Sequence, residues 1–152
     1  MSQPIKRHVS LQPLSRDHHH GLLLCWKIRE GFKKQIDPVR IKRYADWFWQ
    51  THLAEHFRIE EAYVFPVLGN DHPHVQQAIK EHRSLEQLFA QTTDVSQTLS
   101  QLEADLEKHI RFEERVLFNE IQEVATAEQL AACERHHNAG ADVTAWEDEF
   151  WR

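Results

Sequence analysis

A ten-residue pattern occurs twice in the chain, as His56-x-x-x-Glu60-Glu61-x-x-x-Phe65 and His109-x-x-x-Glu113-Glu114-x-x-x-Phe118, each time with a His and a Glu four residues apart. On a helix, residues i and i+4 stack on one face, roughly 5–6 Å apart. Each copy therefore offers an imidazole nitrogen and a carboxylate oxygen to the same region of space. Two such faces opposed across a helical bundle make a site for two metal ions.

The elements needed to oppose them are helices. Only four Gly and five Pro occur, while Leu, Glu, Gln, Lys, Arg and Ala fill the stretches between breaks, a helix-forming composition with no alternating strand pattern. A first helix is expected from an N-cap at Ser15 to about Phe32. A second opens at Asp37-Pro38, carries the first copy and ends near Leu68, with Pro66 kinking or stopping its last turn. A third runs from Asp71-His72-Pro73 to about Gln91. A fourth, about Gln97 to Val124, carries the second copy. Thr126-x-x-Gln129 reads as a capping box for a fifth helix reaching about Phe150 and interrupted near Gly140. The expected fold is all-α: an up-down-up-down four-helix bundle over about 10–124 with an additional C-terminal helix over about 126–150, in a single domain spanning 1–152.

Inward faces follow from the three-and-four periodicity. One stripe holds Trp49, Leu53, His56, Glu60, Tyr63 and Val67; another holds Leu99, Leu102, Leu106, His109, Glu113, Val116 and Glu120. In each, His and Glu take positions that a bundle would ordinarily give to Leu. Burying an unpaired carboxylate costs several kcal/mol, and a cation in the core removes that cost. Such a site should draw on all four helices. The third offers His82, with Glu86 one turn on. The first offers His18, His19 and His20 in succession. His18 lies on the continuous stripe Leu14, His18, Gly21/Leu22, Cys25, Ile28 and Phe32, whereas the stripe through His19 soon meets Glu30. His18 therefore fits best, His19 next and His20 least.

Composition closes off other roles. Lys and Arg number 18 against 24 Asp and Glu, a net charge of −6 with His neutral. With no basic run, nucleic acid and anionic membrane are poor partners. Cys25 and Cys133 form no Cys-x-x-Cys, which leaves no thiolate zinc or thioredoxin-like motif. The apolar runs are too short for a spanning helix or a signal peptide, so a reduced cytoplasm is the simplest setting. No Ser-His-Asp arrangement and no phosphate-cradling Gly loop are present. Glu61 and Glu114 read as solvent-facing companions of the inward Glu residues, His52 as a hydrogen-bonding neighbour of the site, His72 and His74 as cap or loop residues, and His136 and His137 as part of a polar helix. Tyr63 either packs or reaches the site, and the five Trp read as core or interface anchors.

With these residues in place the chain resembles the hemerythrin-like, or HHE cation-binding, family. The resemblance is carried by Leu14-Ser-Arg-Asp-His18-His19, His56-x-x-x-Glu60-Glu-x-x-x-Phe-Pro, Glu81-His82 and His109-x-x-x-Glu113-Glu-x-x-x-Phe, in order, over about residues 10–122. It implies a non-heme centre of two iron ions, oxo- or hydroxo-bridged, with zinc or manganese as substitutes. The ligands carried over are His18 (or His19), His56, Glu60, His82, His109 and Glu113, the two carboxylates bridging and the histidines capping.

Oxygen carriers of this family use two histidines a turn apart on the third helix, where this chain has His82 followed by Glu86. They also place the acid of the fourth helix five residues after its His. Here Glu113 at +4 points with His109, and Glu114 lies roughly 140° away. A set that included Glu86 would be harder and more anionic. The implied role is binding or sensing a small ligand such as O2, NO or peroxide, or handling iron, rather than reversible oxygen carriage. Redox catalysis or iron donation is the enzyme-class alternative, and a zinc-binding or purely structural bundle the third. The C-terminal helix offers a face for a homodimer. Ferritin-like bundles need Glu-x-x-His on two helices, and only Glu134-x-x-His137 has that order.

Overall fold

A computed structural model describes residues 6–137, 142 and 144–152, and within them the chain is an all-α bundle without strands. Helix α1 spans Gln12–Lys33, α2 Pro38–Phe48, α3 Ala54–Ile59, α4 Pro73–Ala90, α5 Val95–Phe112, α6 Phe118–Val124 and α7 Ala127–His136. No helix among the described residues is long and apolar enough to cross a membrane.

The start signals act as their chemistry dictates. Asp37 accepts from the Val39 amide at the head of α2, with Pro38 next in the first turn. Thr126 and Gln129 form the capping box of α7. Ser15 is not a cap: α1 begins before it, at Gln12, behind a short 3-10 turn at Val9–Leu11. The fifth helix also departs from expectation. It ends at His136, and residues 142 and 144–152 are non-helical; the expected interruption near Gly140 lies outside the described residues. Phe150 still enters the core, beside Ile41 and Tyr44. Arg40 holds Asp148 through paired hydrogen bonds, and Lys27 lies over the Trp151 ring at 3.9 Å.

The second and fourth expected helices are continuous in direction but interrupted by π-turns at Trp49–Leu53, Glu60–Val64 and Glu113–Leu117. The last two begin at the Glu of each His/Glu copy. A π-turn takes an extra residue into one turn, so the inward positions that follow move on by one. Val64 and Leu117 are fully buried, whereas the expected Tyr63 is half-buried and Val116 exposed. Pro66, directly after the first copy, ends that helix in a 3-10 turn, Phe65–Val67, as its missing donor requires.

The apolar core is divided into two clusters. One contains Leu24, Ile28, Phe57, Leu85, Phe89, Leu102 and Leu106; the other contains Leu14, Ile59, Val64, Phe65, Val75, Leu117 and Phe118. Every long helix contributes to both. Where its two contributions meet, each carries buried polar side chains: His18 on α1, His56 and Glu60 on the second segment, His82 on α4, His109 and Glu113 on the fourth. Gly21 lets α1 lie close to α5 at this level, since a Cβ there would meet Ile110 Cδ1 at 2.8 Å.

Candidate metal centre

Six polar side chains, His18, His56, Glu60, His82, His109 and Glu113, meet in the layer between the two apolar clusters, none more than 3% exposed. Their ligating atoms fall into two groups, His18, His56, Glu60, Glu113 and Glu60, His82, His109, Glu113, each with its donors within 4.8 Å of one another. The two carboxylates belong to both groups and each histidine to one. Within the groups His18 Nε2 is 3.5 Å from Glu60 and 3.4 Å from Glu113. His56 Nε2 is 3.2 Å from Glu60 Oε2, and His82 Nε2 is 3.1 Å from Glu60 Oε1. Neighbouring donors around one ion, at metal–ligand distances near 2.1 Å, stand roughly 3.0–3.4 Å apart.

Proton placement favours the same reading. Each of the four imidazoles turns Nδ1 toward an outer carboxylate: His18 to Glu114 at 2.7 Å, His56 to Asp17 at 3.0 Å, His82 to Glu61 at 2.7 Å and His109 to Glu81 at 2.7 Å. A carboxylate accepts, so Nδ1 keeps its proton, and the neutral ring that would bind a cation turns the Nε2 lone pair toward the centre. His18 Nε2 and His56 Nε2 then stand 3.0 Å apart, a separation at which two lone pairs need a positive charge between them. His82 Nε2, His109 Nε2 and all four carboxylate oxygens of Glu60 and Glu113 are buried without a well-aligned hydrogen bond among the described residues, and the nearest pair, His109 Nε2 and Glu113 Oε1, is 2.7 Å apart. Buried polar atoms left in this state cost too much to persist by chance. The donor set fits a pair of cations.

The outer carboxylates follow an internal two-fold pattern. Asp17, beside His18, serves His56; Glu81, beside His82, serves His109. Glu114 and Glu61, each following a central Glu, serve His18 and His82. Glu114 also accepts from Ser15 Oγ at 2.8 Å and lies 3.7 Å from Arg7, Glu61 is paired with Arg83, and Asp17 with His137 at 2.7 Å. Glu61 and Glu114 are therefore not the solvent-facing companions that helical angle implied. Phe57 stacks on His82 with centroids 3.7 Å apart, and Phe118 on His18 at 5.2 Å, which closes the layer above and below with apolar rings.

These charges set the proton affinities. Burial lowers that of His56, but Glu60 and Asp17 outweigh it and raise the ring to about 9. Burial likewise opposes, and Glu113 and Glu81 overcome, a rise to about 10 at His109. His18 and His82 are raised in the same way. Burial pushes Glu60 up, but His56 and its other partners hold it well below the usual carboxylate range. Outer carboxylates that make an imidazole a better base also make it a better metal ligand. Glu61→Gln or Glu114→Gln should therefore weaken cation affinity ~10–100-fold with the helix content unchanged, as equilibrium dialysis beside circular dichroism would read.

The remaining candidates stand elsewhere. His19 is exposed, its ring beside His20 rather than at the cluster, because it sits one position around α1 from the inward His18. Glu86 is drawn to Arg83 on the surface of α4, while Leu85 takes the inward position. His52 lines a small cleft beside His56 with Asp17, His20, Phe48 and Leu53. Tyr63 stacks on His136 at 4.1 Å, away from the cluster. Asp17, Glu81, Glu61 and Glu114 were the functional partners that periodicity missed. Their signal was adjacency, since each is next in sequence to a core residue of the site.

Fold and site together define a cation-binding helical bundle. Residues 11–94 match the family model of the hemerythrin HHE cation binding domain, and the chain belongs to that family. The matched segment reaches from α1 to the start of α5, so the second His/Glu copy joins the site on its own geometry. No curated protein and no solved structure matches the chain.

Proposed function

We propose that the protein is a non-heme di-iron protein of hemerythrin type, which binds or senses a small ligand such as O2 or NO at the centre between its apolar clusters. One observation carries this reading: two four-donor groups, each with two imidazoles, share Glu60 and Glu113. Two histidines with carboxylate oxygens and no thiolate suit non-heme iron, a set that characteristically leaves coordination positions open. Bound iron would supply those positions and a change of oxidation state. The chain's own part is to hold six donors at one depth, fix the imidazole tautomers through four outer carboxylates, and keep bulk water out with Phe57 and Phe118. A cavity of about 130 Å³ lined by Glu81, Ser84, Leu85, Asp105, Lys108 and His109 borders the centre on one side and gives a small ligand an approach.

The redox-enzyme alternative gains most from a harder, more anionic set that includes Glu86, and Glu86 is instead paired with Arg83. Anaerobic loading with ferrous salt is the test. About two irons per chain, followed by ferric absorption in the near ultraviolet on admitting air, is the expected result. Chelator-free protein that takes up no iron under those conditions overturns the reading, and uptake of zinc alone moves it to the structural alternative.

A further inference from the structure

A second group of ligating side chains lies at the surface, apart from the buried centre. His72 and His74 flank Pro73 at the head of α4, and Glu120 faces them from α6. His74 Nδ1 is hydrogen-bonded to Glu120 Oε1, and His72 Nε2 stands 3.5 Å from Glu120 Oε2. One donor atom from each residue falls within 4.8 Å of the others. All three are half-buried. Among the described residues, no Lys or Arg is paired with Glu120.

From this convergence we infer that His72, His74 and Glu120 form a separate, exchangeable site for a borderline divalent cation of the zinc, cobalt or nickel class. Two imidazoles and one carboxylate are the protein set of many open zinc sites, with water completing the sphere. Two neutral nitrogens among three donors disfavour magnesium and calcium, which take oxygen. The backbone is held ready: Pro73 fixes the first turn of α4, and Phe112 packs edge-on against the His74 ring at 5.6 Å. Along the helices the site is eight residues from His82 and seven from Glu113, ~12 Å and ~10 Å at helical rise. It shares no residue with the buried centre, so the inference stands whether or not that centre holds iron.

Occupancy has a structural consequence. His72 is the N-cap of α4, and its Nδ1 accepts from the His74 amide at 3.1 Å, which puts the proton of the neutral ring on Nε2. Coordination through Nε2 moves that proton to Nδ1, and the capping bond opens. Cation binding at this site is thus coupled to the first turn of α4.

Zinc titration of the full chain, followed by equilibrium dialysis, tests the site in wild type and in the variants His74→Ala and Glu120→Gln. Wild type should bind one more zinc per chain than either variant, whatever the buried centre contains, and at least tenfold weaker binding of that increment should follow each substitution. Iron retained after desalting should be equal in the variants and wild type, because the exchangeable surface site releases its ion while the buried centre keeps its own, which separates a failure here from a failure of the di-iron reading. As a readout independent of variant folding, cobalt added to wild-type protein should broaden the His72 and His74 imidazole resonances and shift the His74 amide. Equal zinc stoichiometry in all three proteins, or cobalt broadening that spares these two histidines, would overturn the site.

Discussion

On the di-iron reading, replacing Glu60 with Gln is expected to empty both metal positions, whereas His82→Ala should empty only one. The asymmetry follows from sharing: Glu60 offers Oε2 to His18 and His56 and Oε1 to His82, so both donor groups contain it, while His82 serves one group alone. The amide preserves volume and keeps the helix packed, but it supplies one weak neutral donor where a carboxylate supplied two. A cation that binds only the folded state adds about 4 kcal/mol at a thousandfold excess over its dissociation constant. In a domain of this size that is a rise in Tm on the order of 10 °C. Wild type should show the rise on loading, His82→Ala roughly half of it, and Glu60→Gln almost none. Metal analysis and thermal melts on the same samples check both halves, and loss of only one ion in Glu60→Gln would show that the carboxylate is not shared.

The residues that converge were legible because a buried charge violates the pattern around it. His56, Glu60, His109 and Glu113 stood where Leu was due, and His82 and His18 lay on stripes of the same depth; all six meet in the layer between the two apolar clusters. The outer carboxylates were legible only by adjacency, because helical angle alone turns Glu61 and Glu114 away from the inward face. A side chain that reaches across to the histidine of a neighbouring helix depends on crossing geometry, which one helix does not encode. The π-turns at Glu60 and Glu113 were hidden for a related reason. An i to i+5 hydrogen bond leaves no period of its own in the sequence, only a slip of one residue in the stripe beyond it. That slip separates the buried Val64 and Leu117 from the expected Tyr63 and Val116. His19 stands away from the cluster because a second His adjacent to the first is turned about 100° from it on a regular helix.

Metal-free protein should lose stability as pH rises from 7 to 10, and loading should reverse that trend below pH 8. The sign comes from the histidines. His56 and His109 are raised from an ordinary value of 6.5 to about 9 and about 10 in the fold. The fold therefore binds their protons more tightly than the unfolded chain does. Their stabilisation is complete below about pH 6.5 and disappears as pH climbs through 9 and 10. At ~1.4 kcal/mol for each pH unit separating folded and unfolded values, the two rings together represent several kcal/mol. Glu60 acts at the other end. Held well below its ordinary value of 4.5 in the fold, it contributes above that value and is lost as pH falls beneath it. Metal-free stability should thus peak between about pH 4.5 and 6.5. Cations need the same Nε2 lone pairs unprotonated, so loading displaces protons and its affinity rises with pH until the imidazoles are free. Melts of metal-free and loaded protein from pH 5 to 10 should accordingly diverge, the first falling where the second climbs. A pH indicator in weak buffer should register proton release on loading at pH 7. A metal-free Tm that stays level or rises between pH 7 and 10 would mean that these imidazoles do not hold protons against the buried carboxylates.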